Sequence, residues 1–182
     1  MRTIASIVLT LIMLTGCTHA QQTETRPVVT TADVPQDPAI IKRFTDVIWP
    51  TMNQYGPYQA GMARLSPVVD PNLPGGAWNQ ELGGAIVNML RGNGYDANNE
   101  WAHYREDPKI SNVSITANTA TNATLKLCYS YTHVWYRYQS DPHQTAPESS
   151  EADIQLANVG NTWYLHSISN DHVVPDCQSS KA

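Results

Sequence analysis

The sequence predicts an α+β fold: N-terminal helices packed on a curved antiparallel sheet of about four strands. Two observations carry this expectation. Apolar residues recur at helical spacing up to about Arg91, and beyond Asp107-Pro108 the period changes to alternation. Helices followed by a strand meander is the order in which helices cover one face of an antiparallel sheet.

Asp37-Pro38 opens the first helix, an N-cap acceptor followed by proline at a position where its missing N–H costs nothing. Ile40, Ile41, Phe44, Val47 and Ile48 then fall on one face, and Trp49-Pro50 is expected to interrupt or kink the helix. Between Thr51 and Leu65, Gly56-Pro57 and Gly61 break any long period, so only part of that stretch reads as helix. Pro67 to Gly76 is a loop. From Ala77 to Arg91 the residues Trp78, Leu82, Ala85, Ile86, Met89 and Leu90 form a second amphipathic stripe, stopped by Gly92-Asn93-Gly94.

The strands are expected around Val113 and Ile115, from Ala123 to Tyr138, from Ala152 to Asn158 and from Thr162 to Ser169. Asn118 to Asn122 makes a turn, Ser140 to Ser150 a polar loop, and Val159-Gly160-Asn161 the last connection. The run Ala123 to Tyr129, the polar loop, Ile154-Gln155-Leu156, Gly160-Asn161-Thr162-Trp163-Tyr164-Leu165 and a final Cys177 resemble the C-terminal half of secreted actinobacterial proteins with the nuclear-transport-factor-2-like fold. That superfamily is also called cystatin-like or polyketide-cyclase-like. The resemblance spans about residues 108 to 177 and implies a cone with a pocket between helices and sheet.

Ahead of the folded part, Met1-Arg2-Thr3 precedes an apolar run from Ile4 to Leu14. The run is shorter than the ~20 residues a spanning helix needs. A charged start, a short apolar stretch and small residues before a cut point form the pattern of an export signal, here residues 1–16. Leu14-Thr15-Gly16-Cys17 resembles the bacterial lipobox, which implies that Cys17 is lipidated and becomes the new N-terminus. The resemblance implies stable anchoring by two or three acyl chains, because one chain alone binds a bilayer only marginally. Residues 17–37 are polar, rich in Thr and Gln, and read as a disordered tether with an r.m.s. span on the order of 25 Å. Residues 38–182 are expected to form a single domain, large enough to bury roughly two thirds of its unfolded surface. The expected location is the cell membrane or outer membrane, on the extracytoplasmic side.

The chain carries 11 basic and 16 acidic side chains, and loss of the leader removes Arg2 and no acid, so the mature protein is more negative still. It offers no broad cationic surface for nucleic acid. With Cys17 assigned to lipid, Cys128 and Cys177 remain as a pair in a compartment where disulfides persist, and they are expected to bond. Two free thiols or a redox pair is the alternative, without the Cys-x-x-Cys spacing that would support it.

Chemistry has two places to sit. Along the long strand Leu125, Leu127, Tyr129, Tyr131, His133, Trp135 and Arg137 share a face, aliphatic at one end and aromatic and polar at the other. Tyr129, Tyr131, His133 and Trp135, with Trp78 from the second helix, are the candidate pocket; packing with satisfied polar tips is the plainer reading. The second place is Trp101 to Asp107, where His103 and Asp107 are candidate acid–base groups on what reads as an exposed charged turn. The six His residues include no His-x-x-x-His or His-Glu-x-x-His, and His166 and His172 are six apart, so no metal is expected. No nucleophile elbow, phosphate loop or dinucleotide fingerprint occurs, and no cofactor is expected.

These features point to a non-enzymatic, lipid-anchored envelope module that binds an envelope protein or a cell-wall component. Immunity or exclusion lipoproteins of mobile elements belong to the same class. The alternatives are a binder of a small apolar or aromatic ligand, and an isomerase- or cyclase-type enzyme using the cone pocket.

Overall fold

The computed structural model describes residues 34–54, 63–92, 94–95, 98 and 100–177. The leader, Cys17 and nearly all of the tether lie outside the described residues, as does the stretch 55–62. Helix α1, Pro38–Arg43, begins as expected, with the Asp37 carboxylate accepting from the Ala39 N–H at 2.8 Å. Trp49-Pro50 does not end the helical path. Phe44–Ile48 widens into a π-helical turn, with the Trp49 N–H bonded to the Phe44 carbonyl, and α2, Trp49–Asn53, continues from it. The wider turn supplies the slack that a proline without an N–H, its ring crowding the carbonyl four residues back, would otherwise lack. Ile40, Phe44, Ile48, Trp49 and Met52 are buried, whereas Val47 is 37% exposed because the π turn rotates it off the apolar face.

Helix α2 is followed, after the undescribed stretch, by a strap that runs back along the sheet and then by α3, Gln80–Arg91. The side chain of Asn79 accepts from the Leu82 N–H at 2.8 Å, so the α-helix starts one residue after Trp78. Trp78 belongs instead to a 3₁₀ turn, Gly76–Trp78, and is 53% exposed. Its expected place on the helix face, and hence beside the pocket, is corrected by that cap. Leu82, Ile86, Met89 and Leu90 are buried, and Gly92, at φ 54°, closes the helix with its N–H on the Val87 and Asn88 carbonyls. Gly84 is exposed, and an added Cβ there would meet nothing within 4 Å. Gly84→Ala is therefore expected to stabilise the protein by about 1 kcal/mol, read as a raised urea midpoint at unchanged slope.

The sheet is antiparallel with five strands in the order β1-β2-β3-β4-β5: Gly94–Tyr95, Ala102–Asn118, Asn122–Tyr136, Gln144–Val159 and Thr162–Val174. This corrects the expected four, the addition being the two-residue β1 paired with Ala102 and His103. Two stretches expected as turn or loop are strand. Ala102 to Asp107 forms the first part of β2, and β4 begins at Gln144 within the expected polar loop. Pro147, a residue that disfavours strand interiors, lies within β4. It is tolerated because β5 ends opposite Ser149, which leaves one flank of Pro147 unpaired. Gly160 and Asn161, at φ 58° and 63°, form the two-residue hairpin that matches strand twist.

Alternation along β3 sends Leu125, Leu127 and Tyr129 into the core, opposite Ile154, Ala152 and Ser150 of β4. The helices cover this face. On the opposite face Lys126 pairs with Glu151 at 3.0 Å, and Cys128 and Cys177 lie at disulfide distance, with Cα atoms 5.6 Å apart. Among the described residues, no helix is long and apolar enough to cross a membrane.

Candidate functional site

Beyond Tyr129 the helices no longer cover the sheet, and the exposed end of the same face is polar. Register places Arg105 opposite His133 and His103 opposite Trp135 across β2 and β3, and Tyr131 opposite Glu148 across β3 and β4. Directly opposed residues share a face. Five of these side chains, His103, Arg105, Tyr131, His133 and Glu148, therefore converge around a cavity of about 190 Å³, with Gly92 and Val173 at its rim.

Two bulges re-aim side chains near this end, the first away from the cavity and the second toward it. One lies between Glu106 and Lys109, with Asp107 at φ 51°. The other lies between the partners of Glu151 and Asp153, with Asn170 at φ 54°. A bulge adds a residue and re-aims its neighbours. At the second bulge Asn170 bonds to Asp153, and the Asp171 carboxylate accepts from the Tyr129 hydroxyl at 2.6 Å and from Arg105 at 3.0 Å. Arg105 also donates to the Tyr129 oxygen and, at 2.9 Å, to the Met89 carbonyl in the last turn of α3. Its guanidinium lies 4.6 Å from the Tyr131 ring centroid. An added Cβ at Gly92 would meet the Arg105 stem at 2.9 Å, so the glycine closing α3 also makes room for this side chain.

Above this anchor runs a chain of titratable groups. Glu148 accepts from the Tyr131 hydroxyl at 3.0 Å and faces His133 Nδ1 at 2.9 Å. His133 Nε2 lies 3.0 Å from His103 Nδ1, with the two rings stacked at 5.2 Å. A carboxylate fixes the tautomer of the imidazole it touches. With Nδ1 of His133 donating to Glu148, its Nε2 accepts from His103, and the free end of the chain is Nε2 of His103. Among the described residues, no group of three His, Cys, Asp or Glu side chains is arranged to hold a metal ion.

Burial pushes the Tyr129 phenol far above its ordinary value of 10.0, with Asp171 adding to the rise and Arg105 opposing it. Burial also raises Tyr131. The fold thus favours the neutral phenols, so their contribution to stability is full below pH 10.0 and is lost as pH rises above it. Alkaline unfolding with delayed ionisation of Tyr129, Tyr131 and Tyr104, whose phenol burial also raises, is the expected result by ultraviolet absorbance; Tyr129→Phe should remove one delayed group.

Of the sequence candidates, Tyr129 is fully buried and anchors the network, Tyr131 and His133 line the cavity, and Trp135 packs on His133 with ring centroids 5.0 Å apart. Trp78 does not join them. His103 lines the cavity, but Asp107 does not: it pairs with Lys109 at 2.6 Å and borders a separate cleft beside Asn53 and Arg91. The expected acid partner of His103 is thus replaced by His133 and, behind it, Glu148. Sequence reasoning missed Arg105, Glu148 and Asp171. Arg105 follows from alternation once 102–105 is read as strand, whereas Glu148 was hidden in a polar run and Asp171 depends on a bulge.

No family model matches this chain, and no curated protein sequence matches it. Among solved structures it is similar to the intermembrane space region of the chloroplast protein ARC6, with 12% identity, a TM-score of 0.43, and coverage of 77% of this chain and 100% of that one. At that TM-score the likeness carries no functional argument.

Proposed function

We propose that the protein is a lipid-anchored envelope lipoprotein whose cone-like, nuclear-transport-factor-2-like domain binds an envelope protein or cell-wall component without transforming it. Cys17 supplies the anchor, and residues 17–37 supply the reach to present the domain away from the bilayer. The observation that carries the binding reading is the filled interior. Phe44, Ile48, Trp49, Ile86, Met89 and Leu90 occupy the space over Leu125 to Tyr129 and are all buried. The cavity left at the polar end of that face, about 190 Å³, is smaller than the roughly 300 Å³ at which sites for drug-sized ligands begin.

The test is site-specific photocrosslinking in cells expressing the full-length chain, with the crosslinker at exposed Trp78, Tyr95 or Tyr138 and, separately, at Val173 beside the cavity. A discrete envelope component attached at one of the first three positions supports the proposal. A small-molecule adduct at Val173, with none elsewhere, overturns it. A second reading, a small-ligand binder or isomerase-type enzyme working at the cavity, is favoured by the Glu148–His133–His103 chain, and that crosslinking outcome is the one it predicts.

A further inference from the structure

On the other side of α3, away from the His103 cavity, a second cavity of about 230 Å³ lies between the start of that helix and β5. Its floor is apolar, from Leu73, Leu82, Ala85 and Ile168, and its polar groups include His166 and Glu81. His166 is held by a carboxylate that is itself enclosed. Asp70 is 3% exposed and its Oδ2 lies 2.8 Å from His166 Nδ1, while Oδ1 accepts from the Asn72 N–H at 2.9 Å. Asp70 cannot swing away, because its own N–H bonds to the Leu165 carbonyl at 2.9 Å and the Leu165 N–H bonds to Val68 at 2.7 Å. The strap is thereby stitched to β5 at Leu165, the residue before His166.

A buried carboxylate on Nδ1 fixes the tautomer in which Nε2 carries a lone pair. With half of the imidazole enclosed by this arrangement, Nε2 is the nitrogen left to meet a ligand. Glu81 adds a carboxylate in the first turn of α3, where it also offsets the partial positive charge of the helix end. No Lys or Arg lines the cavity among the described residues. The site therefore offers an apolar floor and hydrogen-bond acceptors.

We infer that this cavity is a binding site for a small organic amine, its ammonium donating to Nε2 of His166 and to the Glu81 carboxylate while its carbon body covers Leu73, Leu82, Ala85 and Ile168. The inference is independent of the proposed envelope role, and its failure would leave that role untouched. Charge-assisted hydrogen bonds are about twice as strong as neutral ones, which makes the ammonium the preferred donor.

The test titrates benzylamine, benzyl alcohol and benzoate, three probes of one shape and different charge, into the full-length protein in detergent, with detergent alone as blank. Methyl resonances of Leu82 and Ile168 report occupancy. The expected order of affinity is amine, then alcohol, then carboxylate. His166→Asn keeps a donor for Asp70 and removes Nε2, and should weaken benzylamine about tenfold with an unchanged melting temperature. Glu81→Gln, on an exposed helix position, should remove the preference for amine over alcohol and serves as the check if the first variant does not fold. Absence of methyl shifts with all three probes, benzoate binding first, or an unchanged benzylamine affinity in a folded variant overturns the inference.

Discussion

Arg105→Met is expected to cost about 3 kcal/mol and lower the melting temperature by about 8 °C. One side chain, 15% exposed, joins Asp171, the Tyr129 hydroxyl and the Met89 carbonyl, and so ties β2, β3, β5 and the end of α3 together. Removing it leaves a largely enclosed carboxylate without its cation and takes from the Met89 carbonyl the closer of two donors, leaving the Tyr129 hydroxyl at 3.2 Å. The double variant Arg105→Met, Asp171→Leu should recover part of the loss, because the stranded charge goes with its partner. Lys42→Met breaks an ion pair at the surface of α1 and should leave the melting temperature where it was. A loss of the same size in both single variants would show that charge number, and not enclosure, sets the cost.

Loss of the Cys128–Cys177 bond is expected to cost about 4 kcal/mol. The pair is 49 residues apart in sequence and spans β4 and β5, so opening it frees a loop whose closure entropy in the unfolded chain sets that figure. The bond fastens the end of the chain, beyond β5, to the middle of β3. Urea unfolding with and without reductant measures the effect. The Cys128→Ala, Cys177→Ala chain should match the reduced protein and show no further response to reductant, and a reductant effect on that variant would contradict the assignment.

Fold class was legible because it rests on periodicity, which is local. The α3 stripe and the β3 alternation are set by burial against one face, and both are present in the structure. The errors sit where a second interaction overrides the period. Asn79 caps α3 after Trp78, so an aromatic residue in phase with the stripe ends on the surface. The π turn before Pro50 carries a helical path through a residue that normally stops one.

The site was legible in half. Tyr129, Tyr131 and His133 follow from alternation in one strand, where position alone fixes the face. Their partners come from neighbouring strands, and cross-strand register is not written in any one segment. His103 and Asp107 are close in sequence, yet the bulge at Asp107 turns its carboxylate toward Lys109 and away from His103. Glu148 was unreadable for a different reason. At the sheet end both faces are polar, so alternation in 144–150 has no hydrophobic contrast to reveal it.

Lipid anchoring at Cys17 is the claim on which the proposed function depends, and intact-mass measurement of the protein from membranes of cells expressing the full-length chain tests it most directly. The account predicts a chain that starts at Cys17 and carries a diacylglyceryl group, and a Cys17→Ser variant without lipid that retains residues 1–16. An unlipidated chain cut at another position, or one still carrying its first sixteen residues, would contradict it.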